Sequence, residues 1–267
     1  MLKFAPIALS ILLASCAAPS SKTPDITPEE LAREQALQKE IVSKEGADSV
    51  VTTQIATPAM LSRLTRVAQK IHTSGSKVCE QLNHSKCSFP FQLDDSETDA
   101  VNAYTDGTKI VVTPAMMTFA KTDDQLATVL AHEYAHAMES HPGKATQNSM
   151  VGSLLGLAVD SLAGSQGIST QGMFSKLGAQ GAVLKYCQDF EREADYVGMY
   201  ILKGSGYNID KAPDLWRRMA ALNPDGIYTG STHPTTAERY VLLEKTATEI
   251  KAKQKAGQTL LPDSLPK

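Results

Sequence analysis

The stretch TDDQLATVLAHEYAHAMESH, residues 122–141, predicts one long helix that can be buried. Thr122 and Gln125 form a capping box at its start, in which both side chains bind backbone N–H groups of the first turn. The residues after Gln125 are mostly apolar, and no proline interrupts them. We expect the helix to end near residues 141–143, where a proline and a glycine follow His141.

Residues 132–136 of this helix read HEYAH and fit the pattern HExxH. Residues four apart lie on the same face of a helix, so the imidazoles of His132 and His136 can bind one zinc ion. Glu133 directly follows the first of them and can reach a zinc-bound water as a general base. The pattern also arises by chance, so a metal site requires a second motif.

The segment FEREADYVG, residues 190–198, supplies that motif. One face of the helix that it predicts carries Glu191, Ala194, Asp195 and Gly198. The small residues on this face allow a close approach to the HExxH helix. Glu193 lies about 200° around the helix from Glu191, so both side chains cannot reach one metal. We therefore predict Glu191 as the third metal ligand and Asp195 as the residue that orients an imidazole or a reacting water. The alternative is that this stretch is only a solvated acidic helix start.

The pair HEYAH and EREADYVG resembles the HtpX-like and CAAX-prenyl-protease family of gluzincin endopeptidases. Within that family it is most similar to the soluble branch, which contains bacterial periplasmic lipoproteins and the mitochondrial OMA-type proteases. The resemblance extends from about Asn102 to Arg239. It implies an α+β, mostly helical fold, with a zincin-like core and a small antiparallel sheet or hairpin over the HExxH helix. It also implies one zinc ion per chain and the following site residues: ligands His132, His136 and Glu191, catalytic base Glu133, and Asp195 in an assisting role.

His233 is a further catalytic candidate, in the segment Thr232-His233-Pro234. The residue before a proline avoids the helical region, so this segment is expected to be extended. The resemblance places it beside the zinc, where His233 either stabilises the oxyanion or binds the metal as a fourth ligand. The alternative is a histidine in a helix-capping loop. His72, His84 and His141 have no partner pattern, and we interpret them as structural or surface residues.

A hairpin is predicted before the HExxH helix, with strands at residues 100–105 and 108–113 around Asp106-Gly107. An exposed strand edge in this region, from Asn102 to Thr105 or from Ile110 to Thr113, is a candidate for pairing with an extended substrate. The alternative is that these residues are only sheet core. After the HExxH helix, residues 150–164 predict an apolar helix that is buried or forms a lid, in preference to contacting a membrane or a partner.

The start of the chain has the features of a signal peptide, which we assign to residues 1–15. The ending Leu13-Ala14-Ser15-Cys16 resembles a bacterial lipobox, which implies that Cys16 carries a lipid anchor. The alternative is an ordinary secretory signal. We therefore expect export and an anchor in the cell envelope, at the periplasmic face of the outer membrane. Export permits disulfides, and Cys79 and Cys87 are close enough in sequence to close a short loop, whereas Cys187 is expected to be a buried thiol.

Further helices are predicted from Pro28 to about residue 43, from Pro58, from about Gly181 to Leu202, from Asp210 to Leu222, and from about Pro234. The expected organisation is a signal peptide (1–15), a lipidated N-terminus with a tether and a polar helix (16–48), a zinc metallopeptidase domain (49–255) and a C-terminal tail (256–267). The tether is assigned to residues 17 to about 26.

The composition of the 267 residues is that of a globular protein, with 42% hydrophobic and 21% charged residues. A net charge of -3 provides no basic surface for nucleic acid. The resemblance implies protein substrates, namely misfolded or misassembled envelope proteins, outer-membrane proteins among them. One alternative is a lipoprotein chaperone or assembly factor whose zinc site is latent or structural, and another is a different metal-assisted hydrolase.

Overall fold

The computed structural model describes residues 18–45, 52–166, 169–222 and 237–265 of the chain. Pro19–Gly143 and Lys185–Lys267 belong to one compact unit, and Lys144–Leu184 belong to another. The helices in the described residues are α1 (Pro28–Glu45), α2 (Pro58–Gln81), α3 (Pro114–Phe119), α4 (Asp123–Met138), α5 (His141–Ser165), α6 (Met173–Gly204), α7 (Ala212–Leu222) and α8 (Ala237–Lys255). A short 3-10 turn, Ile209–Lys211, precedes α7, and Asn208 caps it where the sequence predicted a cap at Asp210.

The predicted mostly helical α+β fold is confirmed, with three short strands in one sheet. These are β1 (Phe91–Leu93), β2 (Ala103–Thr105) and β3 (Ile110–Val112), in the order β1-β3-β2. β2 and β3 form the predicted antiparallel hairpin around Gly107, whose φ of 83° is accessible to glycine at little cost. β1 pairs with β3 in parallel, so the sheet is mixed and not wholly antiparallel. The alternation of apolar residues does not specify the direction of a strand. The sequence therefore could not predict the parallel pairing of β1 with β3.

The order of the strands decides between the two candidate edges. β3 is paired on both sides and all three of its residues are buried, so the prediction of an exposed edge from Ile110 to Thr113 is wrong. β2 lies at the edge of the sheet, and its Tyr104 is exposed. Only the stretch from Asn102 to Thr105 thus remains a candidate for pairing with a substrate.

α4 is the predicted buried helix. The Thr122 hydroxyl accepts a hydrogen bond from the Gln125 backbone N–H, and every residue from Leu126 to Met138 is buried. Its neighbours are α2 and the hairpin strands β2 and β3. Ser140 has a φ of 56°, and α5 begins at His141, where the sequence predicted only the end of a helix.

The predicted helix at residues 150–164 is part of α5, but of its two expected forms, buried or lid, the buried one is wrong. Met150, Leu154 and Leu162 are 63%, 65% and 69% exposed. Apolar composition alone does not distinguish a buried helix from one with exposed apolar side chains. Among the helices that the structure describes, none is both long enough and apolar enough to cross a membrane.

The segments at the two ends of the described chain pair with each other. The Lys22 N–H donates to the Asp263 carbonyl at 2.7 Å, and the Leu265 N–H donates to the Ser20 carbonyl at 2.8 Å. Part of the predicted tether is therefore bound to the folded protein, because its backbone has hydrogen-bond partners there. The polar helix α1 likewise contacts α7 and α8 of the same compact unit. The predicted Cys79–Cys87 disulfide is present and closes a loop after α2.

Candidate metal centre

Two helices bring the three predicted ligands together in a buried site. The Nε2 atoms of His132 and His136, both on α4, are 3.0 Å apart. Glu191 on α6 has Oε2 3.3 Å from Nε2 of His132 and Oε1 3.1 Å from Nε2 of His136. Zinc bonds of about 2.0–2.2 Å in a tetrahedral arrangement place neighbouring ligand atoms about 3.3 Å apart. The geometry and the donor set of two imidazoles and one carboxylate therefore fit one metal ion.

A stripe of small residues on α6 makes this approach possible, as the sequence predicted. Ala194 is fully buried, and a Cβ atom added at Gly198 would lie 3.3 Å from the backbone of Ala131 and of His132 on α4. Larger side chains at these two positions would separate the helices. The closeness of α6 to α4 is thus a consequence of the sequence of α6.

Asp195 is buried and contacts one of the imidazoles. Its Oδ1 lies 3.0 Å from Nδ1 of His132, whose Nε2 faces the other ligands. A carboxylate in this position fixes the ring orientation and the tautomer of a metal-binding histidine. Arg239 on α8 binds both Asp195 and Glu191, with its Nη1 2.9 Å from Oε2 of Glu191. The sequence assigned no role to Arg239, since nothing in the spacing of the motifs connects α8 to α6.

The charges in the site are strongly coupled. Burial alone would lower the pKa of His132, but the carboxylates of Asp195 and Glu191 outweigh it and raise this pKa to about 9. Burial holds the pKa of His136 well below its usual value. Burial would raise the pKa of Asp195, but the Arg239 guanidinium and His132 together outweigh it and lower this pKa. A metal that binds here must displace the proton of His132, so low pH opposes binding.

Glu133 follows His132 on α4 and is 1% exposed. A carboxylate this deeply buried is costly unless it has a partner or a chemical role. Its assignment as a general base remains a prediction.

Glu193 points away from the ligands, in agreement with the helical angle between it and Glu191. Its Oε2 lies 3.0 Å from Nε2 of His141, and Nδ1 of His141 lies 2.7 Å from Nδ1 of His136. His141 is 3% exposed, so of its two interpretations, structural or surface residue, the surface one is wrong. Helical periodicity could not find this contact, because the positive φ of Ser140 breaks the register between the two histidines.

The other histidines lie away from the ligands or outside the described residues. His84 contacts Oε1 of Glu139 at 3.0 Å, and His72 contacts the Ser88 hydroxyl at 3.2 Å. His233 lies outside the described residues, as does Cys16. Their predicted roles remain predictions.

Comparison with known proteins finds one family and several relatives. A model of the family described as Peptidase family M48 matches residues 65–247, more than half of the chain. The beta-barrel assembly-enhancing protease of Yersinia pestis is 27% identical over 165 residues, which are 58% of this chain and 33% of that protein. The mitochondrial metalloendopeptidase OMA1 of Saccharomyces cerevisiae is 28% identical over 146 residues, 52% of this chain and 41% of that protein.

A third relative, the mitochondrial metalloendopeptidase OMA1 of Arabidopsis thaliana, is 30% identical over 137 residues. These residues are 51% of this chain and 27% of that protein. The chain therefore spans less than half the length of each of these three relatives.

Proposed function

The chain belongs to peptidase family M48, and we propose that it is a zinc-dependent endopeptidase. The observation that carries this proposal is the convergence of His132, His136 and Glu191, whose ligand atoms all lie within 4.8 Å of one another in the protein interior. The names of two relatives support it, since they describe metalloendopeptidases.

The proposed mechanism assigns a role to each residue near this site. Zinc held by the three ligands would polarise the carbonyl of a peptide bond and acidify a water molecule. Glu133 takes the proton of the attacking water and returns it to the leaving amine. Asp195 holds the His132 ring in the orientation that binds the metal, and Arg239 keeps Asp195 and Glu191 in place.

The proposed substrates are misfolded or misassembled proteins of the cell envelope, outer-membrane proteins among them. The predicted signal peptide supports this class, as does the name of the first relative, a beta-barrel assembly-enhancing protease. We propose that an extended substrate adds a strand to the edge strand β2, where main-chain hydrogen bonds give affinity with little demand on sequence.

The alternative is a chaperone or assembly factor with a latent zinc site. A structural site would leave Glu133 without a role, since it is not among the three converging ligands. Casein digestion with and without a chelator, together with the zinc content of the protein, separates the two functions. Chelator-sensitive cleavage supports the endopeptidase, and stoichiometric zinc without cleavage contradicts it.

The assignment of the base is tested with Glu133→Gln, which retains the shape of the side chain. We expect this variant to fold, to bind about one zinc ion per chain, and to lose at least about 10²-fold in the rate of casein cleavage. Near-wild-type cleavage would exclude Glu133 as the base. For the ligands, Glu191→Ala should lose zinc, whereas Glu193→Gln should still bind one ion at saturating zinc.

We propose that Cys16 carries a lipid that anchors the chain in the envelope. Mass spectrometry of the protein purified from membranes should find a diacylglyceryl group on Cys16, and Cys16→Ser should lack it. An unmodified Cys16 in the membrane-purified protein would refute the anchor.

His233 retains its two proposed roles, which one variant distinguishes. If His233 closes the site as a fourth ligand, His233→Ala should raise basal proteolysis and leave the zinc content unchanged. If His233 stabilises the oxyanion, the same variant should lower kcat by about 10²-fold. Activity within about twofold of wild type would reject both roles and leave a loop residue.

A further inference from the structure

A buried carboxylate lies behind the metal centre and takes no part in the proposed ligand set. The Glu193 side chain is 0% exposed. Its Oε1 accepts hydrogen bonds from the Ser20 N–H at 2.6 Å, from the Ser20 hydroxyl at 2.9 Å and from the Ser21 N–H at 2.7 Å. Its Oε2 faces Nε2 of His141 at 3.0 Å. Burial of a carboxylate is costly unless it has such partners, and here they come from the N-terminal segment and from the first residue of α5.

The donor and the acceptor of each hydrogen bond between Glu193, His141 and His136 follow from the nitrogen through which His136 would bind the metal. A histidine that binds metal through Nε2 carries its proton on Nδ1, so His136 donates from Nδ1 to Nδ1 of His141. His141 must then carry its own proton on Nε2, and it donates this N–H to Oε2 of Glu193. The carboxylate therefore specifies the tautomer of both rings. The His141 ring is also stacked on Phe190, with the ring centroids 4.6 Å apart.

Each of the two proposed metal-binding histidines thus has a carboxylate behind its Nδ1 atom, in one case directly and in the other through a second histidine. Asp195 contacts Nδ1 of His132 directly, whereas Glu193 reaches Nδ1 of His136 through His141. We propose that Glu193 and His141 are positioning residues for the ligand His136, and that the N-terminal segment Ser20–Ser21 completes this set by binding Glu193.

The N-terminal segment Ser20–Ser21 also pairs with residues near the C-terminal end of the described chain. The Ser20 carbonyl accepts the Leu265 N–H, and Ser21 and Ser264 form an antiparallel bridge. Ser21 is 7% exposed, and the Ser20 hydroxyl also contacts Glu139 at 2.7 Å. Residues just after the proposed lipid site at Cys16 are therefore part of the support of the metal centre. We therefore expect a substitution in this segment to change the affinity of the protein for the metal.

The expected change in metal affinity is taken from the effect of such hydrogen-bond partners in other metal sites. Loss of a hydrogen-bond partner behind a metal-binding histidine typically lowers metal affinity by about 10- to 100-fold. This inference rests on the proposed zinc site, but it concerns binding of the metal and not cleavage of a substrate.

The test uses the full chain and two variants of the proposed positioning residues. His141→Phe retains an aromatic ring to stack on Phe190 but has no nitrogen for His136, and Glu193→Gln retains the shape but not the charge. We expect each to raise the Kd for zinc, measured by competition with a chromophoric chelator, by about 10- to 100-fold. The visible absorption of the Co²⁺-loaded variants should also shift, because this spectrum reports the geometry of the ligands. Arg192→Gln is the matched control. Arg192 lies between Glu191 and Glu193 in the sequence, but its side chain pairs with Glu238 at 2.7 Å.

The contribution of the N-terminal segment is tested with Ser20→Pro, which removes both the backbone and the hydroxyl donor of Ser20 to Glu193, together with the hydroxyl contact to Glu139. We expect it to raise the Kd for zinc by about 10-fold, the lower end of that range. Thr23→Pro in the same segment is the control and should keep the wild-type Kd. The unfolding transition of each metal-free variant establishes that it folds.

Folded His141→Phe and Glu193→Gln proteins with the wild-type zinc Kd and cobalt spectrum would overturn the proposal. If His141→Phe does not fold, Glu193→Gln and Ser20→Pro decide by the same two measurements. Wild-type protein that binds zinc but cuts no casein would contradict the proposed endopeptidase and leave this inference intact. Wild-type protein that cuts casein, with variants of unchanged affinity, would contradict this inference alone.

Discussion

Arg239 on α8 holds Asp195 on α6 with two hydrogen bonds, from Nε to Oδ2 at 2.6 Å and from Nη2 to Oδ1 at 2.9 Å. Both residues are 2% exposed, and the guanidinium also contacts the carboxylate of Glu191. The Trp216 ring lies beneath it, 4.8 Å from the guanidinium carbon. The Arg239 guanidinium therefore contacts two buried carboxylates next to the proposed metal site.

We expect Arg239→Met to lower the free energy of unfolding of the zinc-free protein by about 3–5 kcal/mol, because it leaves buried charge without its partner. Urea denaturation measures this loss. Adding Asp195→Asn should recover part of it, since the amide removes one of the unbalanced charges. Arg33→Met is the control: Arg33 pairs with Glu244 but is 67% exposed, and such pairs contribute at most about 1 kcal/mol. Equal losses in the two single variants would contradict the assignment.

The disulfide supports the HExxH helix through Tyr134. The Tyr134 hydroxyl donates to the carbonyl oxygen of Cys87, and its ring packs edge-on against Phe89. Closing a loop between Cys79 and Cys87, which are 8 residues apart, should contribute about 2–3 kcal/mol to stability. We expect reductant to lower the urea midpoint of the wild-type protein to that of the double variant Cys79→Ser with Cys87→Ser. The double variant itself should not respond to reductant. A wild-type midpoint that is insensitive to reductant would mean that the disulfide does not stabilise the protein.

The helix α1 is bound to the peptidase helices by a buried ion pair. Arg217 on α7 donates from Nε and Nη2 to the two carboxylate oxygens of Glu34, at 2.8 and 2.9 Å. Glu34 is 1% exposed. We expect Glu34→Ala to cost about 3 kcal/mol and to raise hydrogen exchange across residues 28–45, because α1 then loses its buried anchor. Glu29→Ala, at the exposed start of α1, should leave exchange in the rest of the helix unchanged. Protection of α1 that survives Glu34→Ala would show that apolar contacts alone hold it.

The parts of the site that the sequence could predict are those whose motif lies within a single helix. The ligands His132, His136 and Glu191 each belong to a motif within one helix, and helical periodicity says which side chains share a face. In the structure Glu191 faces both histidines, whereas Glu193 contacts His141. Local periodicity was sufficient there because α4 and α6 are continuous at these residues.

The contacts that the sequence did not predict depend on distant residues or on broken periodicity. Ser20 and Glu193 are 173 positions apart, and no pattern of spacing connects them. His141 returns toward His136 only because Ser140 adopts a left-handed conformation. β1 pairs in parallel with β3, although β2 lies between them in the sequence. Each of these features depends on tertiary packing and not on local preference.

The close contact between α6 and α4 at Gly198 provides a last prediction, in which two effects oppose each other. Replacing glycine by alanine inside a helix gains up to about 1 kcal/mol of helix propensity. At Gly198, however, the new Cβ would lie 3.3 Å from the carbonyl carbon of Ala131 and the Cα of His132, and overpacking typically costs about 1–3 kcal/mol. Because these atoms are backbone and cannot rotate away, the cost should exceed the gain. We expect Gly198→Ala to be destabilised in urea and to bind zinc more weakly, and Gly198→Val to be worse in both. Gly164→Ala is the matched control, since nothing lies within 4 Å of its Cβ position, and it should be stabilised. Equal stabilisation of both alanine variants would show that the separation of α6 and α4 is not limited by this glycine.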